Sequence, residues 1–87
     1  MPTTVATTNL LSVKDLGRAV RQARTAMKLR QAEAALLCGV GVRFLSDLER
    51  GKETVRLGPV LKVIQGLGLA LMLCPKKPFW TQDGGHA

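Results

Sequence analysis

The chain is poor in aromatic side chains: Phe44, Phe79 and Trp80 are the three it has, and tyrosine is absent. Two of them are adjacent near the C-terminus, so the sequence cannot lay out the aromatic platform on which single-stranded nucleic acid binders stack successive bases. Cysteine is scarce as well. Cys38 and Cys74 sit in apolar surroundings without C-x-x-C spacing or a nearby histidine, which argues against zinc and for buried, reduced thiols. The single histidine, His86, lies in a tail of Pro, Gly and charge, a setting that does not order it for general acid-base work. The carboxylates Asp15, Glu33, Asp47, Glu49, Glu53 and Asp83 show no paired spacing, and no glycine-rich phosphate loop is present. There is accordingly no catalytic residue, metal ligand or cofactor site to nominate, and the sequence reads as that of a non-enzyme. The longest apolar run, near Leu67 to Cys74, is too short to span a bilayer. Met1-Pro2-Thr3-Thr4 has no basic stretch leading into an apolar one. The expectation is a cytoplasmic protein without a membrane partner.

Negative charge is also in short supply. Thirteen Lys+Arg face six Asp+Glu in 87 residues, a formal net charge of +7, and a one-signed excess of this size suits a polyanionic partner. The length fits one domain. A chain of this size buries roughly 60% of its unfolded surface, enough for one small core and too little for a cleft between domains. At 46% hydrophobic and 22% charged, the composition is that of a folded chain rather than a disordered one.

Residues 1–11 are Thr-rich and aperiodic and read as a flexible N-terminal arm. From Ser12 the apolar residues Val13, Leu16, Val20, Ala23 and Met27 recur at three and four, which predicts a helix from Val13 to Met27. Ser12 and Asp15 supply a capping-box-like start. Gln31 to Cys38 reads as a short second helix stopped by Gly39, and Val42 to Arg50 as a third, closed by Gly51. Leu57, Val60, Leu61, Ile64 and Leu67 give a fourth, with Pro59 tolerated in its first turn and Gly68 at its end. The six apolar residues Leu69 to Cys74 are too few for a helix and suit a buried strand. No other segment alternates like a partner, so its backbone groups call for the same segment of a twofold-related copy. The expected fold is mainly α, four to five helices with a C-terminal β-strand pairing across a homodimer. Residues 12–74 form the folded unit and 75–87 a mobile tail.

Two short helices joined by a glycine turn in a small basic helical domain are the outline of a helix-turn-helix. Small Ala35 permits a close crossing, Gly39 makes the turn, and Leu45 and Leu48 hold the second helix on the core. Leu16 to Arg21, Leu29 to Glu33, Gly39-Val40 and above all Arg43-Phe44-Leu45-Ser46-Asp47-Leu48-Glu49-Arg50-Gly51-Lys52 resemble the XRE, or Cro/CI-like, helix-turn-helix proteins, lambda-repressor-like in fold, and within them the HipB-like antitoxins. The similarity continues through Thr54 to Gly58 and Leu67 to Leu69 and so covers about residues 13–74. It implies a dimeric operator-binding repressor with a strand paired across the dimer, and association with a HipA-like kinase toxin. It also implies that Gln31 meets DNA and that Arg24 pairs with Glu49 inside the domain. Arg30 and Gly41 stand where the family often has Thr or Ser, leaving both motif helices without a side-chain N-cap, and Ala34 stands where a larger Leu is usual.

A recognition helix presents its N-terminal residues to base edges. The candidates are Gly41, Val42, Arg43, Ser46, Asp47 and Arg50. Arg43 suits guanine O6 and N7, with a merely solvated arginine as its bland alternative; Val42 suits a thymine methyl and Ser46 several base edges. Asp47 suits either cytosine N4 or a structural pairing with a neighbouring arginine. Gln31, at the start of the second helix, adds its side chain to free backbone N–H groups at a phosphate site. Lys14, Arg18, Arg21 and Lys28 form a basic stripe on the first helix, and Arg50, Lys52 and Arg56 are the preferred phosphate group. Leu69, Leu71, Met72 and Leu73 are the dimerisation residues. Phe79 and Trp80 are either a partner anchor, a contact within the dimer, or without role.

The resulting expectation is a homodimeric repressor of double-stranded operator DNA carrying an inverted repeat, acting as antitoxin to a HipA-like kinase and regulating its own operon. The alternatives are a stand-alone phage-like repressor or restriction-system control protein, and a helical module that binds protein rather than DNA.

Overall fold

The structure is a computed structural model in which residues 9–75 are described. Four helices follow one another: α1 (Val13–Ala26), α2 (Gln31–Cys38), α3 (Val42–Glu49) and α4 (Leu57–Gly66). The Ser12 hydroxyl accepts the Asp15 amide at 3.2 Å, and the Asp15 carboxylate accepts the Leu11 amide at 2.9 Å. The start of α1 is therefore capped much as expected, with the carboxylate reaching one residue further back than a capping box requires.

All four helices stop in the same way. A residue one or two positions past each end turns left-handed, and the next amide reaches back to a carbonyl of the last turn. Gly39, Gly51 and Gly68 supply that conformation after α2, α3 and α4, while α1 uses Lys28 at φ 59°. Met27, expected on the apolar face, lies past the end of α1 as its C-cap and is 46% exposed.

The core is built from Val20, Ala34, Ala35, Cys38, Leu45, Leu48, Val60, Val63, Ile64 and Leu67, with Leu16, Ala23, Leu29, Val40, Phe44 and Val55 packed around it. α1 lies on α3, and α2 lies on both α3 and α4. Two of the residues expected to mark the buried face of α4, Leu57 and Leu61, are instead exposed, and Val63 takes the inward place. The apolar stripe is thus turned by a fraction of a helical turn, as happens when i+3 and i+4 neighbours are equally apolar. Cys38 is buried and donates its thiol to the Val63 carbonyl at 3.8 Å; burial pushes that thiol above its ordinary pKa. Cys74, expected to be buried too, is exposed, because Leu69–Pro75 lies outside the core of the single chain and forms no element within it. Phe79 and Trp80 lie outside the described residues.

The seam between α1 and α3 depends on Gly17. A Cβ built there would meet the carbonyl oxygens of Leu48 and Glu49, the latter at 2.9 Å. These are backbone atoms that cannot rotate aside. Gly17→Ala is therefore expected to destabilise the protein by about 1–3 kcal/mol through overpacking. Gly58→Ala meets nothing within 4 Å and should be neutral or stabilising by up to about 1 kcal/mol. Urea unfolding of both variants checks the contrast, and a Gly17→Ala variant as stable as Gly58→Ala would show that the seam accommodates an added methyl group.

Candidate nucleic-acid interface

Arg24 and Gln31 are seven positions apart, and Gln31 and Glu49 eighteen, yet the three side chains meet at one point. The Arg24 guanidinium grips the Glu49 carboxylate with both Nε (2.6 Å) and Nη2 (2.9 Å), and its Nη1 donates to the Leu29 carbonyl at 2.8 Å. The Gln31 amide nitrogen donates to the same carboxylate at 3.0 Å. The ion pair expected from the family resemblance is present, and its side chains are only 11% and 4% exposed. Burial works against the charge of Glu49, but the hydrogen bonds from Arg24 and then Gln31 outweigh it and hold the carboxyl below its ordinary pKa. The hydrogen bond to Glu49 raises the Arg24 pKa in turn, against its own desolvation.

This cluster sets α2 and α3 relative to α1. At the surface it leaves the N-termini of α2 and α3, neither of which has a side-chain cap. A guanidinium has no acceptor, so Arg30 cannot close the start of α2; Glu33 instead accepts the Arg30 amide at 2.8 Å. Gly41, before α3, has no side chain to offer. Free N–H groups at a helix start carry partial positive charge and attract anions.

The expected DNA-facing residues divide into two groups. Gly41, Val42, Arg43, Arg50, Lys52 and Arg56 are exposed, whereas Gln31, Ser46 and Asp47 are half-buried. Asp47 accepts from Arg50 at 2.8 Å and lies 3.6 Å from the Lys52 ammonium. Of the two readings of Asp47, the structure exhibits the pairing with a neighbouring arginine. Arg50, counted among the phosphate contacts, spends one nitrogen on that pairing within the free chain. Beside α3 opens a groove of about 370 Å3 whose lining includes Phe44, Asp47, Lys52, Val55, Arg56 and Lys62. Lys62 was not among the expected phosphate group; it joins Lys52 and Arg56 only because α4 folds back beside the α3–α4 loop.

Along α1 the basic stripe is differentiated. Arg18 lies 3.4 Å from Asp15, the Lys14 stem lies against Gly51, and Arg21 and Lys28 are exposed. Among the described residues no group of three or more metal-ligating side chains occurs, and no helix is long and apolar enough to cross a membrane. The Gln31–Glu49 hydrogen bond is what sequence reasoning missed. Its only signal was that both residues carry hydrogen-bonding groups near Arg24 once the helices are packed.

A sequence profile of the family described as Helix-turn-helix matches residues 20–72. Among curated proteins, the "Uncharacterized HTH-type transcriptional regulator y4mF" of Sinorhizobium fredii is 49% identical over 57 residues, which is 66% of this chain and 75% of that protein. Among solved structures, a "HipB-O4 20mer complex" shares the fold with a TM-score of 0.74 and 25% identity, over 82% of this chain and 100% of the other. A "HipA-HipB-O2-O3 complex" is similar to the same degree, with a TM-score of 0.74, 25% identity and the same coverage.

The depressed Glu49 pKa has a consequence for acid stability. A carboxyl ionised more readily in the folded than in the unfolded chain stabilises the fold above the unfolded value of about 4.3, and that stabilisation is lost as pH falls through the folded value. Glu49→Gln removes it. The stability difference between the native chain and this variant should be about 3–5 kcal/mol near pH 7, the cost of breaking a buried pair, and should shrink as pH falls below about 4.3. Chemical denaturation at a series of pH values measures this, and a pH-independent difference would assign the acid response to other carboxylates.

Proposed function

The chain belongs to the helix-turn-helix family, and from that premise we propose that it is a sequence-specific DNA-binding repressor, the HipB-like antitoxin of a HipA-like kinase toxin, which regulates its own operon. The observation that carries this reading is that α2, which begins at Gln31, and α3 both start without a side-chain cap, with Val42 and Arg43 exposed in the first turn of α3, on a chain of net charge +7. The likeness to HipB over the whole of that chain, in complexes with DNA and with HipA, supports both halves of it.

In this reading α3 enters the major groove. Arg43 takes the guanine edge, Val42 meets a thymine methyl and Ser46 completes the base readout. Gln31 and the N–H groups at the start of α2 hold a phosphate, and Lys52 and Arg56 neutralise others. Arg50, tethered by Asp47, is aimed along the same backbone. Asp47 then acts by orienting two cations rather than by reading cytosine. Two copies related by a twofold axis place their α3 helices in successive major grooves about 34 Å apart, which requires an inverted repeat.

The dimer is assigned to Leu69, Leu71, Met72 and Leu73. In the single chain these side chains are 36%, 42%, 75% and 98% exposed, and the backbone of the segment belongs to no element. An exposed apolar run whose backbone belongs to no element is stabilised by pairing with its own twofold-related copy as an antiparallel ribbon.

A fluorescence anisotropy titration against the DNA upstream of the gene, with scrambled competitor and a salt series, tests the DNA-binding half. Arg43→Ala is expected to cost about 1–3 kcal/mol and to abolish selectivity over the competitor. Arg56→Ala should weaken specific and non-specific binding alike and reduce the salt slope by about one phosphate. Binding indifferent to sequence in the native chain would point to a protein-interaction module instead. For the dimer, Leu71→Asp should convert the sedimenting species to a monomer and weaken operator binding in parallel; a tight dimer in that variant would move the interface away from the C-terminal segment. The antitoxin half is checked by co-purification with a HipA-like kinase encoded beside the gene, and a failure of the two to associate would leave a repressor alone.

A further inference from the structure

Resting on the reading that Gln31 meets a phosphate, we infer that Glu49 is a positioning residue for that contact, dictating which end of the Gln31 carboxamide is available to DNA. A carboxamide has a donating end and an accepting end of nearly the same shape, and only the nitrogen end bonds a phosphate oxygen. On an exposed glutamine the two ends exchange freely. Here they are distinguished by the neighbour, because an ionised carboxylate is an acceptor only. Glu49 accepts from the Gln31 nitrogen at 3.0 Å and from Arg24 at 2.6 and 2.9 Å. Its side chain is 4% exposed, so water does not compete for it.

The same nitrogen carries a second N–H, directed away from the first. With one N–H held by Glu49, the other remains for an acceptor beside the free backbone N–H groups that open α2. Holding the side chain in advance removes part of the rotamer entropy that binding would otherwise cost. Arg24 has two roles in this arrangement. It keeps the carboxylate ionised and aligned, and through Nη1 it ties the Leu29 carbonyl, two residues before Gln31. One cation therefore fixes both the acceptor of Gln31 and the turn that delivers it.

A double-mutant cycle in the operator titration tests this, with binding referred to the folded fraction measured by circular dichroism. Gln31→Ala should weaken binding about tenfold, the scale of one hydrogen bond to a charged group. Glu49→Gln, which can turn either end of its own carboxamide toward Gln31, should weaken binding several-fold. In the double variant the loss should be no greater than for Gln31→Ala alone, because Glu49 acts through Gln31. Losses that multiply would show that Glu49 acts on the fold as a whole and would overturn the inference.

A second measurement does not depend on how well Glu49→Gln folds. In the 1H–15N spectrum of the native chain, the Gln31 side-chain amide, assigned with Gln31→Ala, should be shifted from the exposed Gln22 and Gln65 amides and should move toward them as Glu49 is protonated in acid. Coincidence with Gln22 and Gln65 at neutral pH would overturn the inference. If Gln31→Ala leaves affinity unchanged while Arg43→Ala abolishes it, the inference fails and the DNA-binding reading stands. If the native chain binds no operator, both fail.

Discussion

The fold turns on one buried ion pair. Arg24 reaches from the last turn of α1 to Glu49 at the end of α3, and neither charge has enough water around it to be stable alone. Such a pair is rarely a net source of stability, since desolvation consumes most of its attraction. What it does is admit only one arrangement. The carboxylate is satisfied from Arg24 and Gln31 together, and the guanidinium also closes on the Leu29 carbonyl. Among the described residues no buried side-chain nitrogen or oxygen lacks a hydrogen-bond partner. Sliding α3 against α1 or α2 would break several of these bonds at once, and leaving a buried charge unpaired is strongly unfavourable.

Close packing of backbone reinforces that choice. Gly17 lets α1 approach the carbonyls of Leu48 and Glu49, and Gly66 lets α4 approach Cys38, whose Sγ would lie 2.5 Å from an added Cβ. These contacts sit at the end of α3 and on α2, the two helices that would face DNA. The N-terminal ends of those helices are left open by contrast. α1 is capped by Ser12, while α2 and α3 begin without a side-chain cap. Missing caps ordinarily cost about 0.5–2 kcal/mol each relative to a good cap, less at Gly41, and the free amides they leave are the groups a phosphate can satisfy. The absence of a cap therefore trades helix stability for anion affinity at the proposed interface.

Much of this was readable in advance because its causes are local. The bounds of α1, α2 and α3 followed from Ser12, the Ala- and Leu-rich run to Cys38, and the glycines after each helix, to within a residue or so of the observed ends. Where the structure departs from these local expectations, a non-local cause decides. Met27 continues the apolar period of α1, yet it lies beyond the helix end at Ala26 and outside the core. Leu57 and Leu61 are as apolar as Val63, and only the position of α2 selects which of them is buried. Cys74 has apolar neighbours in sequence but lies outside the core of a single chain.

The sequence by itself determined the four helices, the glycine turns, the basic excess and the arrangement of Val42, Arg43, Ser46 and Asp47 on one helix, since all of these depend on neighbours three or four residues apart. The Arg24–Glu49 pair was anticipated only through family resemblance. That Gln31 shares the Glu49 carboxylate, and that Lys62 joins Lys52 and Arg56 beside one groove, was decided by tertiary structure alone. Hydrogen bonds act over about 3 Å, and no periodicity along a chain specifies which side chains eighteen residues apart will come that close; only the packing of α1, α2, α3 and α4 against one core does.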